Sequence, residues 1–244
     1  MNTTAKKILI VSANPKDTNT LRLDEEKREI QTALKRANNR SLYEIVTSEA
    51  TRVDDLLRAL LDDKPSIVHF CGHGEGTEGL ALENDLGQTQ LVSTQALASL
   101  FKLLQEDVEC VLLNACYSEA QAVAIHQHID CVIGMLKAIG DQAAIKFAVG
   151  FYDALGAGES YDNCFEFGRA SIDLEGIAES DTPVIKIRRR SYHTKLLAET
   201  AKAMPVNSLT NNDDMRSDRS VGQNRSISVG GSVTGSAMIT GDTA

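Results

Sequence analysis

The sequence predicts an α/β fold in which a mostly parallel sheet is flanked by helices. Three observations carry this expectation. Short apolar runs alternate along the chain with longer amphipathic ones, the pattern of strands joined by covering helices. Breakers such as Asn14-Pro15, Lys64-Pro65 and Gly156-Ala157-Gly158 fall between these runs rather than inside them. Finally, 42% of the 244 residues are hydrophobic, enough to fill a sizeable core.

Taken in order, Lys7–Ser12 reads as the first strand, ended by Asn14-Pro15. A helix follows from Leu23 to Ala37, with Ile30, Ala33 and Leu34 as its inward stripe and its charges elsewhere. Tyr43–Thr47 is the second strand, and Val53–Leu61 a helix stopped by Lys64-Pro65. Ser66–Cys71 is the third strand. The segments 79–83 and 89–92 flank the turn Asn84-Asp85-Leu86-Gly87 and read as a small hairpin insertion. Ser93 is placed to cap a helix running to Gln105. Val108–Asn114 and Cys131–Met135 are further strands, with a helix at 119–128 between them. Helices at 141–155 and 161–173 come next, and Pro183–Ile187 closes the pattern as a strand whose opening proline suits an edge.

After Arg190 the composition changes to Ser, Asn, Asp, Gly and Thr, with no aromatic residue from about 205 onward. Such a stretch buries too little apolar surface to pack, so 191–244 is expected to be a flexible tail. Val233-Thr234-Gly235 and Ile239-Thr240-Gly241 repeat six residues apart near its end, a short β-forming pattern.

The formal net charge of −9 argues against a general nucleic-acid binder, which needs a basic surface. No apolar run approaches the roughly 20 residues that span a bilayer. The first residues lead into a strand without a signal-peptide pattern, and five scattered cysteines fit a reducing compartment. A cytoplasmic protein is therefore expected, with neither membrane nor nucleic acid as partner.

The chemistry concentrates at two strand ends. The third strand runs out into Cys71-Gly72-His73-Gly74, and the Val108–Asn114 strand into Ala115-Cys116-Tyr117-Ser118. In an open parallel sheet, carboxyl ends share one edge, where ligands and catalytic groups gather. If these strands are neighbours, His73 and Cys116 leave the sheet side by side although 43 positions apart. An imidazole beside a thiol is the minimal apparatus for covalent acyl transfer. Gly74 lets the backbone turn and aim an N–H at the same point, and with the Cys116 N–H it could form an oxyanion hole. Taken singly, a strand-end histidine or cysteine is more often structural; the joint pattern shifts the balance.

Two rival readings of His69-Phe70-Cys71-Gly72-His73-Gly74 are open. His69, Cys71 and His73 alternate and would share a strand face as a metal edge, yet no second ligand pair of zinc spacing follows. The glycines suggest a phosphate loop, yet no Lys-Ser/Thr follows and the next segment is a hairpin. The reading adopted needs no metal and no cofactor, with His69 and Cys71 as strand residues.

The blocks IVHFCGHGEGTEGLAL, CVLLNACYSEAQAVA and VIGMLKAIGDQAAIKFAVGFYDALGAGESYDNCFEFGRASI, in this order, resemble the CHAT domain, the bacterial caspase-like group related to separases and caspases. SANPKDTNTLRLDEEKREI resembles the opening of such domains. The resemblance covers about residues 5–190 and implies a caspase-like three-layer sandwich with a His–Cys dyad at His73 and Cys116. It also implies an acidic residue that accepts a basic P1 side chain (P1 being the residue that supplies the scissile carbonyl). Asp141 occupies that place, and is equally suited to favour a helix N-terminus. The chain departs from many such domains in reading Ala-Cys-Tyr-Ser around the cysteine.

The function expected is a cysteine endopeptidase cutting partner proteins after Arg or Lys, in bacterial defence or regulated proteolysis, with an activating protein partner. Arg216, Arg219 and Arg225 in the tail would be sites of self-cleavage. The alternative is a non-catalytic or latent signalling module of the same fold.

Overall fold

The computed structural model describes residues 5–188. The expectations for the tail, its three arginines and its β-forming end lie outside the described residues.

Among the described residues, eight strands and six α-helices succeed one another: β1 (Lys6–Ser12), α1 (Leu23–Arg36), β2 (Tyr43–Ser48), α2 (Val53–Asp63), β3 (Ile67–Cys71), β4 (Leu80–Glu83), β5 (Thr89–Val92), α3 (Thr94–Leu103), β6 (Cys110–Asn114), α4 (Glu119–Ile125), β7 (Cys131–Met135), α5 (Asp141–Ala157), α6 (Tyr161–Leu174) and β8 (Pro183–Ile187). Six strands form one sheet in the order β2-β1-β3-β6-β7-β8, and β4 and β5 pair as a separate antiparallel hairpin. All pairings in the large sheet are parallel except β7 with β8. Pro183 opens that antiparallel edge strand, where its missing N–H costs little.

Strand periodicity divides the core in two. Ile8 and Ile10 of β1, with Ile67, Cys71 and Cys110, pack beneath α1, α5 and α6. Leu9 and Val11, with Val68, Phe70 and Val111, pack beneath α2, α3 and α4 on the other face. The result is three layers, helix–sheet–helix. Phe147, Phe151 and Tyr152 of α5 are fully buried, with Phe165 of α6 edge-on to Phe147, so α5 is the central helix of its layer.

Local signals end the elements. Lys64 adopts φ +46° after α2, a left-handed C-cap that Pro65 then prevents from continuing as helix. Ser93 caps α3 by accepting the Ala96 amide at 3.2 Å. Two features differ from the sequence reading. The helix expected over 119–128 stops at Ile125, and His126 turns its Nδ1 back to the Ile129 carbonyl at 3.1 Å. In α1, Glu26 belongs to the inward stripe, one turn before Ile30, and is only 4% exposed.

Candidate active site

β3 and β6 are parallel neighbours in register, with Cys71 opposite Asn114. His73 and Cys116 each lie two residues beyond that last pair, so the topology brings both to one sheet edge. Their loops touch. A Cβ added at Gly74 would stand 2.2 Å from the Cys116 carbonyl oxygen, so no residue but glycine allows this approach. The G74A variant is expected to fold, push the two loops apart and lose about 100-fold in turnover, since a displacement near 1 Å at reacting groups costs about that much. Turnover alongside a thermal melt separates this from unfolding.

The cysteine loop is pinned from below. Buried Ser118 donates to the Leu113 carbonyl at 3.0 Å and accepts the Met135 amide at 2.9 Å, tying the end of β6 to β7. Between them, Tyr117 takes φ +54°, a conformation that a bulky residue holds only when its surroundings impose it. Among the described residues, neither the Gly74 nor the Cys116 amide has a hydrogen-bond partner. Cys116 is half-buried; its Sγ lies 3.5 Å from the Ile139 amide and 3.7 Å from the Ile139 carbonyl oxygen.

The segment between β1 and α1 supplies the histidine's partner. Asn14 folds this segment by bonding the Leu21 backbone both ways, Nδ2 to the carbonyl at 3.2 Å and Oδ1 from the amide at 3.3 Å. The Asn19 carbonyl oxygen then sits 2.8 Å from His73 Nε2. A carbonyl only accepts, so Nε2 carries the proton and Nδ1 of the neutral ring is the basic nitrogen.

His73, Cys116 and Asp141 line one cleft, together with Arg22 and Glu26 of the α1 region and Asn114. The structure therefore brings His73, Cys116 and Asp141 to one cleft, with Gly74 against the Cys116 carbonyl. Asp141 opens α5, and its Oδ2 lies 3.6 Å from Arg22 Nε, so this acid already has an internal cationic partner.

Deeper in the cleft is a polar network that the sequence reading did not foresee. Glu26 Oε1 accepts from His69 Nε2 at 3.0 Å and from Asn114 Nδ2. His69 Nδ1 in turn lies 3.0 Å from the Tyr152 hydroxyl. Asn114 Nδ2 also donates to the Ala144 carbonyl at 3.1 Å, whereas the buried Asn114 Oδ1 has no partner. Burial, reinforced by the neighbouring Glu26 carboxylate, pushes the Cys71 thiol well above its ordinary range, so it stays protonated. Donor atoms of Glu26, His69 and Cys71 lie within 4.8 Å of one another. A cation there would have to break the His69–Glu26 bond and deprotonate Cys71, so the cluster is built as a hydrogen-bonded network. His73, past the strand end, belongs to the cleft mouth instead.

Glu26 was detectable in the sequence, since it falls four residues before Ile30 and so on the apolar stripe of α1. Asn19 acts through its backbone and leaves no side-chain signal.

The geometry agrees with comparison to known proteins. The sequence matches the CHAT domain family over residues 2–170. It is 29% identical over 157 residues to a Roc-COR-CHAT protease from an unknown prokaryotic organism, a match covering 62% of this chain and 15% of that protein. It is 26% identical over 179 residues to a probable protease of Gillisia limnaea, covering 69% of this chain and 32% of the other. The chain thus spans a third or less of the length of these relatives. Among solved structures, gingipain R, an Arg-specific cysteine proteinase, is similar with TM-score 0.53 and 13% identity, over 73% of this chain and 45% of that one. The Drosophila initiator caspase Dronc is similar with TM-score 0.50 and 9% identity, over 75% and 79%. At such identities these likenesses speak for the fold. With the family match covering more than half of the sequence and the three-layer sheet laid out as in these proteases, the chain belongs to the CHAT domain family and has the caspase-like fold.

Proposed function

We propose that the chain is a cysteine endopeptidase acting through His73 and Cys116, and that it cuts protein substrates after Arg or Lys. The observation that carries the reading is the meeting of four groups at the β3/β6 edge. These are an imidazole with its Nδ1 free, a half-buried thiol, and the two unpartnered amides of Gly74 and Cys116.

The steps follow from these groups. His73 Nδ1 takes the Cys116 proton, and the thiolate adds to the scissile carbonyl carbon. The oxyanion that forms accepts from the Gly74 and Cys116 amides, donors that nothing else in the described structure occupies. When the tetrahedral intermediate collapses, imidazolium returns the proton to the departing amine, leaving a thioester on Cys116. Water, deprotonated by the same imidazole, then adds to the thioester, and the acid product leaves as the thiol is restored. Throughout, the Asn19 carbonyl holds the ring in place.

Asp141 at the cleft mouth anchors a basic P1 side chain, a carboxylate–guanidinium pair being bidentate and selective. Arg22 occupies that carboxylate in the free protein, so an incoming P1 arginine either displaces it or shares the acid. The proposal includes an activating protein partner, since the domain forms only a small part of its longer relatives. The test is cleavage of fluorogenic peptides ending in Arg, Lys, Leu or Asp. The expected result is turnover after Arg and Lys only, reduced about 10- to 100-fold in D141N, the worth of one charge-assisted bond. Turnover only after Asp, or equal turnover of all four, contradicts the assignment.

A further inference from the structure

We infer that Asp17 is a positioning residue for His73: it anchors the loop between β1 and α1 to the β4–β5 hairpin and so holds the Asn19 carbonyl oxygen against His73 Nε2. The catalytic consequence deepens the reading above and rests on it; the placement of the ring stands apart from that reading.

An imidazole that pivots about its Cβ–Cγ bond turns Nδ1 away from its target, so a base that works through one ring nitrogen needs the other held. The mapped partner of His73 Nε2 is the Asn19 carbonyl oxygen at 2.8 Å, and Asn19 is exposed. A carbonyl on an exposed loop is only as well placed as the loop itself, so the ring's orientation reduces to what fixes residues 14–21.

Asn14 closes the neck of this loop through its two bonds to the Leu21 backbone, and Thr18 bonds back to the Pro15 carbonyl inside it. Three residues then tie the loop to the hairpin. Glu83 Oε1 accepts the Asn14 amide at 3.0 Å, and the Gly87 carbonyl accepts the Lys16 amide at 2.9 Å. Asp17 Oδ1 accepts both the Thr89 amide at 2.8 Å and the Thr89 hydroxyl at 2.9 Å. Glu83 and Thr89 are partners across the hairpin, so the two carboxylate ties, one from each side, fall on a single rung. Asp17 is the last tie along the loop and stands two residues before Asn19. Among the described residues, no mapped hydrogen bond fastens Thr18, Asn19 or Thr20 to the hairpin.

The hairpin is rooted beside the histidine. Leu80, Ala81 and Leu82 are buried, and the Ala81 amide donates to the His73 carbonyl at 3.0 Å. One hairpin therefore holds the His73 backbone directly and, through Asp17, the carbonyl that orients its ring. The Thr89 amide keeps the Asp17 carboxyl below the usual carboxylate range, so the acceptor stays ionised and its bonds are charge-assisted.

The test compares full-length wild type, D17A and D17N; alanine removes the acceptor, whereas asparagine keeps an oxygen for Thr89. In D17A, kcat on the Arg-ended fluorogenic peptide is expected to fall about 10- to 100-fold with KM little changed, the scale of losing a group that orients a reacting one. D17N is expected to stay close to wild type, and the three melting curves to coincide. The ring itself is followed by NMR in protein labelled with 15N-histidine, the His73 signals being those absent from H73A. Wild type is expected to show an Nε2–H proton for His73 that D17A loses to exchange with water. His69, whose ring nitrogens lie 3.0 Å from Glu26 and from the Tyr152 hydroxyl, is the internal control and should keep its signals. A D17A protein that keeps the His73 Nε2–H signal, or loses the signals of both histidines together, overturns the inference. If that signal alone is lost while cleavage is unchanged, or wild type cleaves no peptide, the ring placement stands and the peptidase role of His73 falls. Should D17A unfold, T89V, which removes one of the two bonds, takes its place; faster exchange of the same proton is expected, and unchanged exchange overturns the inference.

Discussion

Replacing Cys116 with alanine is expected to lower peptide cleavage by about 10⁴-fold or more, while thermal unfolding stays close to that of the wild type. Alanine removes the sulfur and keeps the backbone amide, so the oxyanion donors and the cleft remain and only the covalent route is lost. The residue is half-buried and, among the described residues, its sulfur hydrogen-bonds only the Ile139 backbone, at 3.5 and 3.7 Å. H73A should fall to a similar level, because a thiol without its base has few thiolates to offer. The double variant should be little worse than either single one, as groups that act in one step do not add. Rates from the same fluorogenic peptide, with melting curves run in parallel, decide the matter.

The largest expected effect on stability lies one layer below. E26A removes the acceptor that His69 and Asn114 share and leaves buried donors on both. A buried donor left without an acceptor costs about 1–3 kcal/mol, and a loss of about that size for each of the two is expected in chemical denaturation. E26Q should lose much less because the acceptor oxygen is kept. If E26A and E26Q are destabilised equally, the hydrogen bonds are not what Glu26 contributes. Tyr152 belongs to the same chain of bonds through His69, so Y152F is expected to lower stability further only in a protein that still has Glu26.

Most of the architecture was legible in the chain because two periods, near two and near 3.6 residues, alternate clearly. Cys131–Met135 and Pro183–Ile187 occur as strands over the expected residues, and the Pro65 stop and the Ser93 cap act where the sequence places them. The site was legible to the extent that its chemistry sits at strand ends. His73 and Cys116 could be matched because parallel strands end on a common edge, which makes 43 residues of separation irrelevant. What could not be read follows a physical pattern. The Asn19 carbonyl is a backbone group and has no residue type to betray it. The pairing of Arg22 with Asp141 depends on how the loop after β1 folds around Asn14, which no periodicity encodes. Asp141 is a helix-opening acid and a cleft acid at once, so composition could not separate the two roles. Glu26 is the instructive case. Its place on the apolar stripe of α1 was visible, yet a charge among many in Asp24-Glu25-Glu26-Lys27-Arg28-Glu29 reads as part of a solvated face.

The arrangement also explains why one thiol of five should carry the chemistry. Cys71, Cys110, Cys131 and Cys164 are buried in the core, and burial pushes Cys71 and Cys110 far above the ordinary thiol range and Cys164 up to about 12. The Cys71, Cys110 and Cys164 thiols stay protonated and inert. Cys116 alone among these cysteines is partly open to solvent, beside an imidazole and two free amides.

The central claim, that Cys116 activated by His73 is the nucleophile, is tested most directly by mapping where a limiting amount of an Arg-ended acyloxymethyl ketone attaches. The account predicts a single adduct per chain, located by peptide mass mapping on Cys116 and absent from both C116A and H73A. An adduct on any of the other four cysteines, or unchanged labelling of Cys116 in H73A, would contradict it.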